Sequence, residues 1–502
     1  MKVLARSRAS RHHSPHARLQ SALLALVLAT GLLTGWPASA QAAETLVDEL
    51  PPGLQVPTAA LPDADFDVER ATQAYLDLLN PEQKARSDAY FEGGYWLELW
   101  QVIYALVIAA LLLFSGWSRR MRELAQRISH RPWLYTALYG AFWTGAMFVL
   151  DLPWLTYVGF FREKSYGLAT QTYGAWFGER ALELGIELLF FPILLALLYA
   201  AARRTGDRWW LWAGAITGAF LVSMAMVWPM YLAPLFNDYT SLEEGPLREQ
   251  VLSLARANGI PADDVYVFDA SRQTTRISAN VSGIFGTTRI ALNDNLLDRT
   301  SPPEIRAVMA HEMGHYVLDH AQRLVIYMTL VLIIGFWVVH RCLDAALARW
   351  GRRWGVSDRT DPAGLPAVMA VLALFFLVAT PITNSIIRQA EAQADAFGLD
   401  AAREPHGFAS TAMRLSTYRK IHPSPLEEMV FYDHPSGYSR VHRSMTWLAE
   451  NLDDPHVLAS LAEAGFEVGP AAEPAPGPST ESEGGPQTAT GAPDEEAGSA
   501  PE

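Results

Sequence analysis

The pattern of apolar and polar positions divides the chain into unlike parts. After residue 96, six stretches near 97–117, 133–157, 182–202, 209–231, 324–341 and 365–384 are dominated by Leu, Ile, Val, Ala, Phe and Trp. Each approaches the roughly 20 residues that a helix needs to cross a hydrocarbon core of about 30 Å. The pattern predicts six membrane helices. Asp151 and Pro153 interrupt the second, and Glu183, Glu187 and Pro192 lie in the third. An ionisable group in a span faces a partner or a water-filled cavity, and for these glutamates both readings are open, with Arg180 as the neighbouring partner.

Between the fourth and fifth spans the periodicity changes. DVYVFDAS (264–271) and RIAL (289–292) read as short strands, with SGIFG (282–286) as a turn between extended segments. GPLREQVLSLARANGI has helical periodicity and ends at Asn258-Gly259, a helix-stop signal. Helical stretches are expected again around 388–402, 409–420 and 437–451. From about Gly469 the chain is Pro, Gly, Ser, Thr and Glu, and a segment that cannot bury a core is expected to be disordered. At the other end, a basic start (Lys2, Arg6, Arg8, Arg11, Arg18), an apolar run from Ala22 to Leu33 and Ala38-Ser39-Ala40 read as a secretory signal cut near Ala40, or as an uncleaved anchor. The expected organisation is a signal or anchor (1–40), an extracytoplasmic segment (41–95), four membrane helices (96–236), a soluble insertion (237–323), a transmembrane hairpin (324–384), a second soluble segment (385–465) and an acidic tail (466–502).

Composition agrees: half of the 502 residues are hydrophobic and 16 are tryptophan, too apolar for an ordinary soluble protein. The net charge of −14 comes largely from the two ends, and no basic stripe argues for a nucleic-acid partner. Cys342 is the single cysteine, which excludes a disulfide framework and a cysteine-rich metal cluster. Any metal would need histidine and carboxylate ligands. Arginines cluster after the first span (Arg119, Arg120, Arg122, Arg127, Arg131), the third (Arg203, Arg204, Arg208) and the fifth (Arg341, Arg349, Arg352, Arg353, Arg359), whereas the loop 158–181 holds only Arg162, Lys164 and Arg180. By the positive-inside rule the arginine-rich loops are cytoplasmic. The insertion and everything after about residue 385 are then expected on the periplasmic side of a bacterial inner membrane.

Candidate chemistry lies in AVMAHEMGHYVLDH (307–320). Ser301-Pro302-Pro303-Glu304 starts a helix with a cap, an N-terminal proline and a capping-box glutamate. On that helix His311 and His315 share one face, one turn apart, so both imidazoles can reach one zinc ion. Glu312 then serves as base towards a water on the metal. His320, nine positions beyond His311, falls on the opposite face and is left out. HExxH alone is short enough to arise by chance, and zinc needs a third protein ligand. QAEAQAD (389–395) offers Glu391 as that ligand and Asp395 to accept a hydrogen bond from a ligating histidine. Two spans separate the motifs and return the chain to the same side. If the helices run on without a break, both sites stand about 10–14 Å beyond the membrane boundary. His434 and Arg440 in YDHPSGYSR and Asn280 in RISANVSG are weaker candidates for substrate or oxyanion contacts.

Taken in order, APLFNDYTSLEEGPL (233–247), HEMGH, RQAEAQAD (388–395) and the His434-Pro435 to Arg440 spacing resemble the type I CAAX prenyl proteases, integral-membrane zinc endopeptidases. The resemblance runs from about Tyr75 to Leu448. It implies a mainly α fold: a multi-pass helical membrane protein with a thermolysin-like (gluzincin) α+β zinc protease domain built on extensions of the membrane helices. It also implies one zinc on His311, His315 and Glu391, with Glu312 as base, Asp395 behind the ligands, and His434 and Arg440 on the substrate or oxyanion side. Members have a helical barrel around a water-filled chamber, which Glu183 and Glu187 would line. Where the family tends to have Asn-Ala-Tyr on its substrate strand, this chain has Ser278-Ala279-Asn280.

The expected function is a membrane-embedded zinc endopeptidase whose partners are protein or peptide substrates and membrane lipid, with a role in membrane-protein quality control. Peptide would pair with an edge strand around 276–284 through Ser278 and Asn280. The alternatives are a non-catalytic scaffold with a structural zinc site and a transporter-like cavity.

Overall fold

The computed structural model describes residues 50–283 and 288–467. The signal or anchor, nearly all of the acidic tail and most of the SGIFG turn lie outside the described residues.

Among the described residues five stretches are long and apolar enough to cross a membrane: Pro81–Phe114, Pro132–Ser165, Tyr173–Leu235, His320–Trp354 and Pro362–Ala402. The third is two helices folded back on each other through a turn at Gly206 (φ +55°), so the described residues hold six helices of membrane-spanning length, as the apolar pattern predicts. In order the long helices are α2 (Pro81–Phe114), α4 (Pro132–Thr156), α5 (Tyr173–Thr205), α6 (Trp209–Val227), α10 (His320–Trp354) and α11 (Leu365–Ala402). The short α1 (Val68–Leu76) precedes them, and α3 (Trp117–Ile128) is an arginine-rich helix in what the sequence reads as a loop. Asp151 and Pro153 do not end α4; the distortion comes after them, as a π-turn over Tyr157–Arg162. Glu183 takes the paired reading, 2.5 Å from Arg180.

An even number of passes puts both ends of the described chain on one side, and packing agrees. Tyr75 of α1 hydrogen-bonds to His406 (2.8 Å), and residues 50–79 share an apolar core with Met413, Val441, Met445 and Leu461. The connection after α4 reaches the same end, where Thr170 N donates to Gln273 O (3.1 Å). At the opposite end the three arginine-rich segments meet: Arg122 pairs with Asp361, Arg359 with Asp207 (2.9 Å), and Ser118 donates to Ala363 O (2.7 Å).

The insertion carries a four-stranded sheet in the order β1-β2-β4-β3, with β1 Tyr239–Ser241, β2 Val265–Phe268, β3 Ala279–Ser282 and β4 Arg289–Asn293. β2 and β4 run parallel, and the outer pairs are antiparallel. α7 (Pro246–Ala257) stops where expected, with Gly259 at φ +69°. Val251, Leu252, Val265, Ile290, Leu292, Ile305, Met309 and Met313 bury one face of the sheet against α7 and α9 (Pro302–Val317). α8 (Asp294–Arg299) precedes α9; beyond α11 come α12 (Pro405–Leu415), α13 (Pro425–Phe431), α14 (Gly437–Ala449) and α15 (Pro455–Glu463). α12 starts and stops four or five residues before the span read from periodicity, because Pro405 opens it and Ser416 closes it.

Candidate metal centre

α9 and α11 build the centre. α9 begins as expected: Ser301 N and Oγ both donate to Glu304 Oε2 (2.8 Å each). The helices approach closely through glycines. A Cβ on Gly314 would meet Ala394 Cα at 3.2 Å, and one on Gly398 would meet His311 N at 3.0 Å. That proximity lets imidazoles on α9 reach carboxylates on α11.

His311 Nε2 lies 3.1 Å from His315 Nε2, and Glu391 lies 3.3 Å from each. A tetrahedral ion with bonds of 2.0–2.2 Å holds its ligand atoms about 3.3–3.6 Å apart. The contacts are nearly that long, with Glu391 facing His311 through Oε2 and His315 through Oε1, and the donors are the N and O types that zinc takes, so these residues fit the ion. Asp395 accepts from His311 Nδ1 (2.9 Å), which turns Nε2 towards the other two donors. Asp395 is itself bracketed by Arg440 Nε (3.1 Å) and Arg443 Nη1 (3.5 Å). Arg440 Nη2 also reaches Glu391 (3.0 Å). His434 comes to 3.3 Å of Glu391 through Nε2, while its Nδ1 is held by Asp433 (2.8 Å).

Electrostatics follow from this packing. Burial draws the His311 imidazole down, but its hydrogen bonds to Asp395 and Glu391 outweigh that and raise it to about 9. Burial pushes the Glu312 carboxyl up, against the pull of His311 and His315.

A cavity of about 300 Å³ opens over His311, His315 and Glu391. Its polar floor includes Glu312, His434 and Arg440; Leu296, Val308, Phe408 and Leu415 form an apolar wall. Ile277, Ser278 and Ala279 line one side. β3 is an edge strand, in the place expected for peptide pairing. Two buried asparagines hold the chain leading into it: Asn293 accepts from Ser278 N (3.1 Å) and donates to Arg276 O (2.8 Å), and Asn295 donates to Thr274 O (2.8 Å). Asn280 is placed differently from Ser278. Ser278 lies just before β3, and within the strand the two-residue alternation turns Asn280 away from Ala279, to the other face of the sheet, beside Arg289 and the end of α6.

His320 is a correction. Leaving it out assumed one continuous helix, but Leu318 and Asp319 break the chain, with Asp319 at φ +55°, and α10 starts afresh at His320. Its Nδ1 lies 3.0 Å from His315 Nδ1, and Gln393 holds its Nε2 (3.1 Å). For the same reason the HExxH helix is not a straight extension of a membrane helix, whereas α11 runs unbroken from Leu365 past Glu391. Sequence reasoning also missed Arg443, Asn293 and Asn295. Asn293 had a local signal, as a cap residue before α8.

Residues 241–447 match peptidase family M48, and residues 68–238 match the family described as CAAX prenyl protease N-terminal, five membrane helices. The chain belongs to peptidase family M48. Among its relatives is an uncharacterised metalloprotease, YhfN of Bacillus subtilis, 27% identical over 76% of this chain and 89% of that one. A CAAX prenyl protease 1 homologue of Dictyostelium discoideum is 26% identical over 66% of this chain and 76% of its own length. The crystal structure of S. mikatae Ste24p superposes with a TM-score of 0.61 at 20% identity, covering 87% of this chain and all of that one, and shares the fold. This M48 member is a multi-pass membrane metalloendopeptidase of the CAAX prenyl protease family, acting on peptide or protein substrates.

Proposed function

We propose that His311, His315 and Glu391 hold one zinc ion and that Glu312 is the general base of peptide-bond hydrolysis. The observation that carries this reading is the set of contacts of 3.1, 3.3 and 3.3 Å that joins His311, His315 and the two oxygens of Glu391, beside Glu312 in one cavity. When bound, zinc polarises the scissile carbonyl and lowers the pKa of water at the site. Glu312 takes the proton from that water and passes it to the leaving amine. His434 presents Nε2 at the cavity; Asp433 accepts from its Nδ1–H, and it is as the imidazolium, with a hydrogen on Nε2 as well, that His434 serves as donor to the developing oxyanion. Arg440, tied to Glu391 and Asp395, orients the ligand carboxylate. An extended peptide adds to the free edge of β3 at Ala279, next to Ser278, and seats an apolar side chain against Val308, Phe408 and Leu415. Glu312→Gln is expected to keep one bound zinc and lose peptide cleavage by about 10²–10⁴-fold. Full activity in that variant sinks the mechanism.

The arginine-rich end is assigned to the cytoplasm and the metal centre to the periplasmic face of a bacterial inner membrane, supported by the clustering of Arg122, Arg203 and Arg359 away from the site. A reporter fused after residue 465 that is active only in the cytoplasm would reverse this. The substrates fitted to such a site are extended segments of membrane or exported proteins, in a quality-control role. Comparing membrane proteomes with active and Glu312→Gln enzyme tests that assignment: fragments that accumulate equally in both would refute it. The division at residues 40, 95, 236, 323, 384 and 465 stands as the proposed domain organisation.

A further inference from the structure

β3 separates two cavities. One holds the metal centre; the other, about 590 Å³, lies behind the sheet where α6 leaves the membrane. Leu221, Met224 and Trp228 line one wall of this second cavity, and Asn280, Ser282 and Arg289 line the other. The register explains the polar wall: Ser282 and Arg289 are Cα partners, while Val281 and Ile290 between them and the next pair turn into the core.

Arg289 is the unusual member. Its guanidinium stacks over the Tyr239 ring at 3.6 Å and stands 5.2 Å from that of Tyr266; its nearest backbone acceptor is Pro229 O, at 3.5 Å. It forms no ion pair with a carboxylate among the described residues. The β2–β4 register sets Asp264 beside it, and that carboxylate is engaged by Arg248 (2.8 Å) and Ser241 (2.6 Å); Asp269, at the far end of β2, is engaged by Arg272 (3.1 Å) and by the Asp238 backbone N–H (2.8 Å). A cation held on aromatic faces without a counter-ion, opposite an apolar wall, matches an amphiphile with an anionic head. The depth matches too: Trp228, Met230, Tyr231 and Leu235 project outward just after α6, the aromatic signature of a membrane–water interface.

We propose that this cavity binds the headgroup of an anionic phospholipid, with the phosphate on Arg289 and the chains along Leu221, Met224 and Trp228. The site lies outside the metal cavity and stands whether or not the catalytic reading does. Its test is lipid retention by the purified full chain, read by native mass spectrometry after exposure to equal phosphatidylglycerol and phosphatidylcholine. Wild type is expected to keep one phosphatidylglycerol with a preference of about fivefold, the effect of one cation on an anionic lipid. Arg289→Gln is expected to bring the ratio to about one, and Arg289→Lys to keep most of it. Ser282→Asp is a second route to the same loss, because it sets a carboxylate beside Arg289. Elution profile and thermal midpoint show that each variant is folded. An unchanged preference in folded Arg289→Gln and Ser282→Asp overturns the proposal. So does displacement of the lipid by millimolar inorganic phosphate with no preference between the two lipids, which would assign the cavity to a free anion.

Discussion

Both ends of the helical bundle are tied by arginine–carboxylate pairs, but the pairs differ in kind. At the arginine-rich end only Arg122 and Asp361 make a largely buried pair, and the link from Arg359 goes to Asp207, whose side chain is 84% exposed. At the metal end Glu304 and Arg414 are 2.7 Å apart with side chains 0% and 2% exposed, and Ser410 donates to the same Glu304 oxygen. Arg306 and Glu404 form a second such pair (2.6 Å). An exposed pair contributes little, because water serves each charge nearly as well. A buried pair is different: it is weak evidence of net stabilisation, yet losing one partner strands a charge without solvent. Glu304 opens the HExxH helix, and Arg414 lies on α12. The catalytic helix, cut off from its membrane helix at Asp319, is therefore held by the soluble layer.

That contrast is broken most severely at Arg414. Arg414→Leu leaves Glu304 buried alone and should cost about 3–5 kcal/mol, read as a lower unfolding midpoint in detergent together with weaker zinc retention. An effect no larger than that of a surface change would remove the contrast.

Acid probes the same layer through His406. Burial lowers its imidazole from 6.5 to about 4, with the charge of Glu404 opposing. The folded chain thus keeps His406 neutral, with its Nδ1 hydrogen-bonded to the Tyr75 hydroxyl. Its contribution is complete above pH 6.5 and disappears as pH falls towards 4, amounting to roughly 3 kcal/mol. Unfolding midpoints measured across that window should fall in wild type and fall less in His406→Gln; equal slopes would exclude His406 as the source.

Gly398→Ala addresses the contact between the two site helices. The added methyl meets Phe408 at 2.5 Å and the His311 backbone at 3.0 Å. Overpacking of this kind costs about 1–3 kcal/mol. It should appear as weaker zinc affinity by calorimetry, because it pushes His311 away from Glu391; unchanged affinity would mean that the helices adjust without moving the donors. At the other end, Arg359→Ala should shift the midpoint by less than about 1 kcal/mol. A larger shift would show that the arginine-rich end is locked as firmly as the metal end.

Much of the centre was legible because it is periodic. His311 and His315 one turn apart, and Glu391 and Asp395 one turn apart, are local facts of α-helices, and the two intervening spans return them to one level. His320 and Arg443 were not legible. His320 reaches the site only because Asp319 takes a left-handed conformation and restarts the helix, and Arg443 reaches Asp395 from 48 residues away. Asn280 shows the same limit in a strand: alternation makes it face away from Ala279, but which face holds the metal centre depends on what packs behind the sheet.

The sequence by itself determined six membrane passes, the side shared by the two motifs, and the chemical type of the ligands, because apolar length, helical spacing and residue chemistry are properties of short segments. Only the tertiary structure decided the 3.1–3.3 Å contacts among His311, His315 and Glu391, the break before His320, the buried Glu304–Arg414 clasp and the uncompensated Arg289. Each depends on residues far apart in the chain meeting where water is scarce, and no local pattern encodes that.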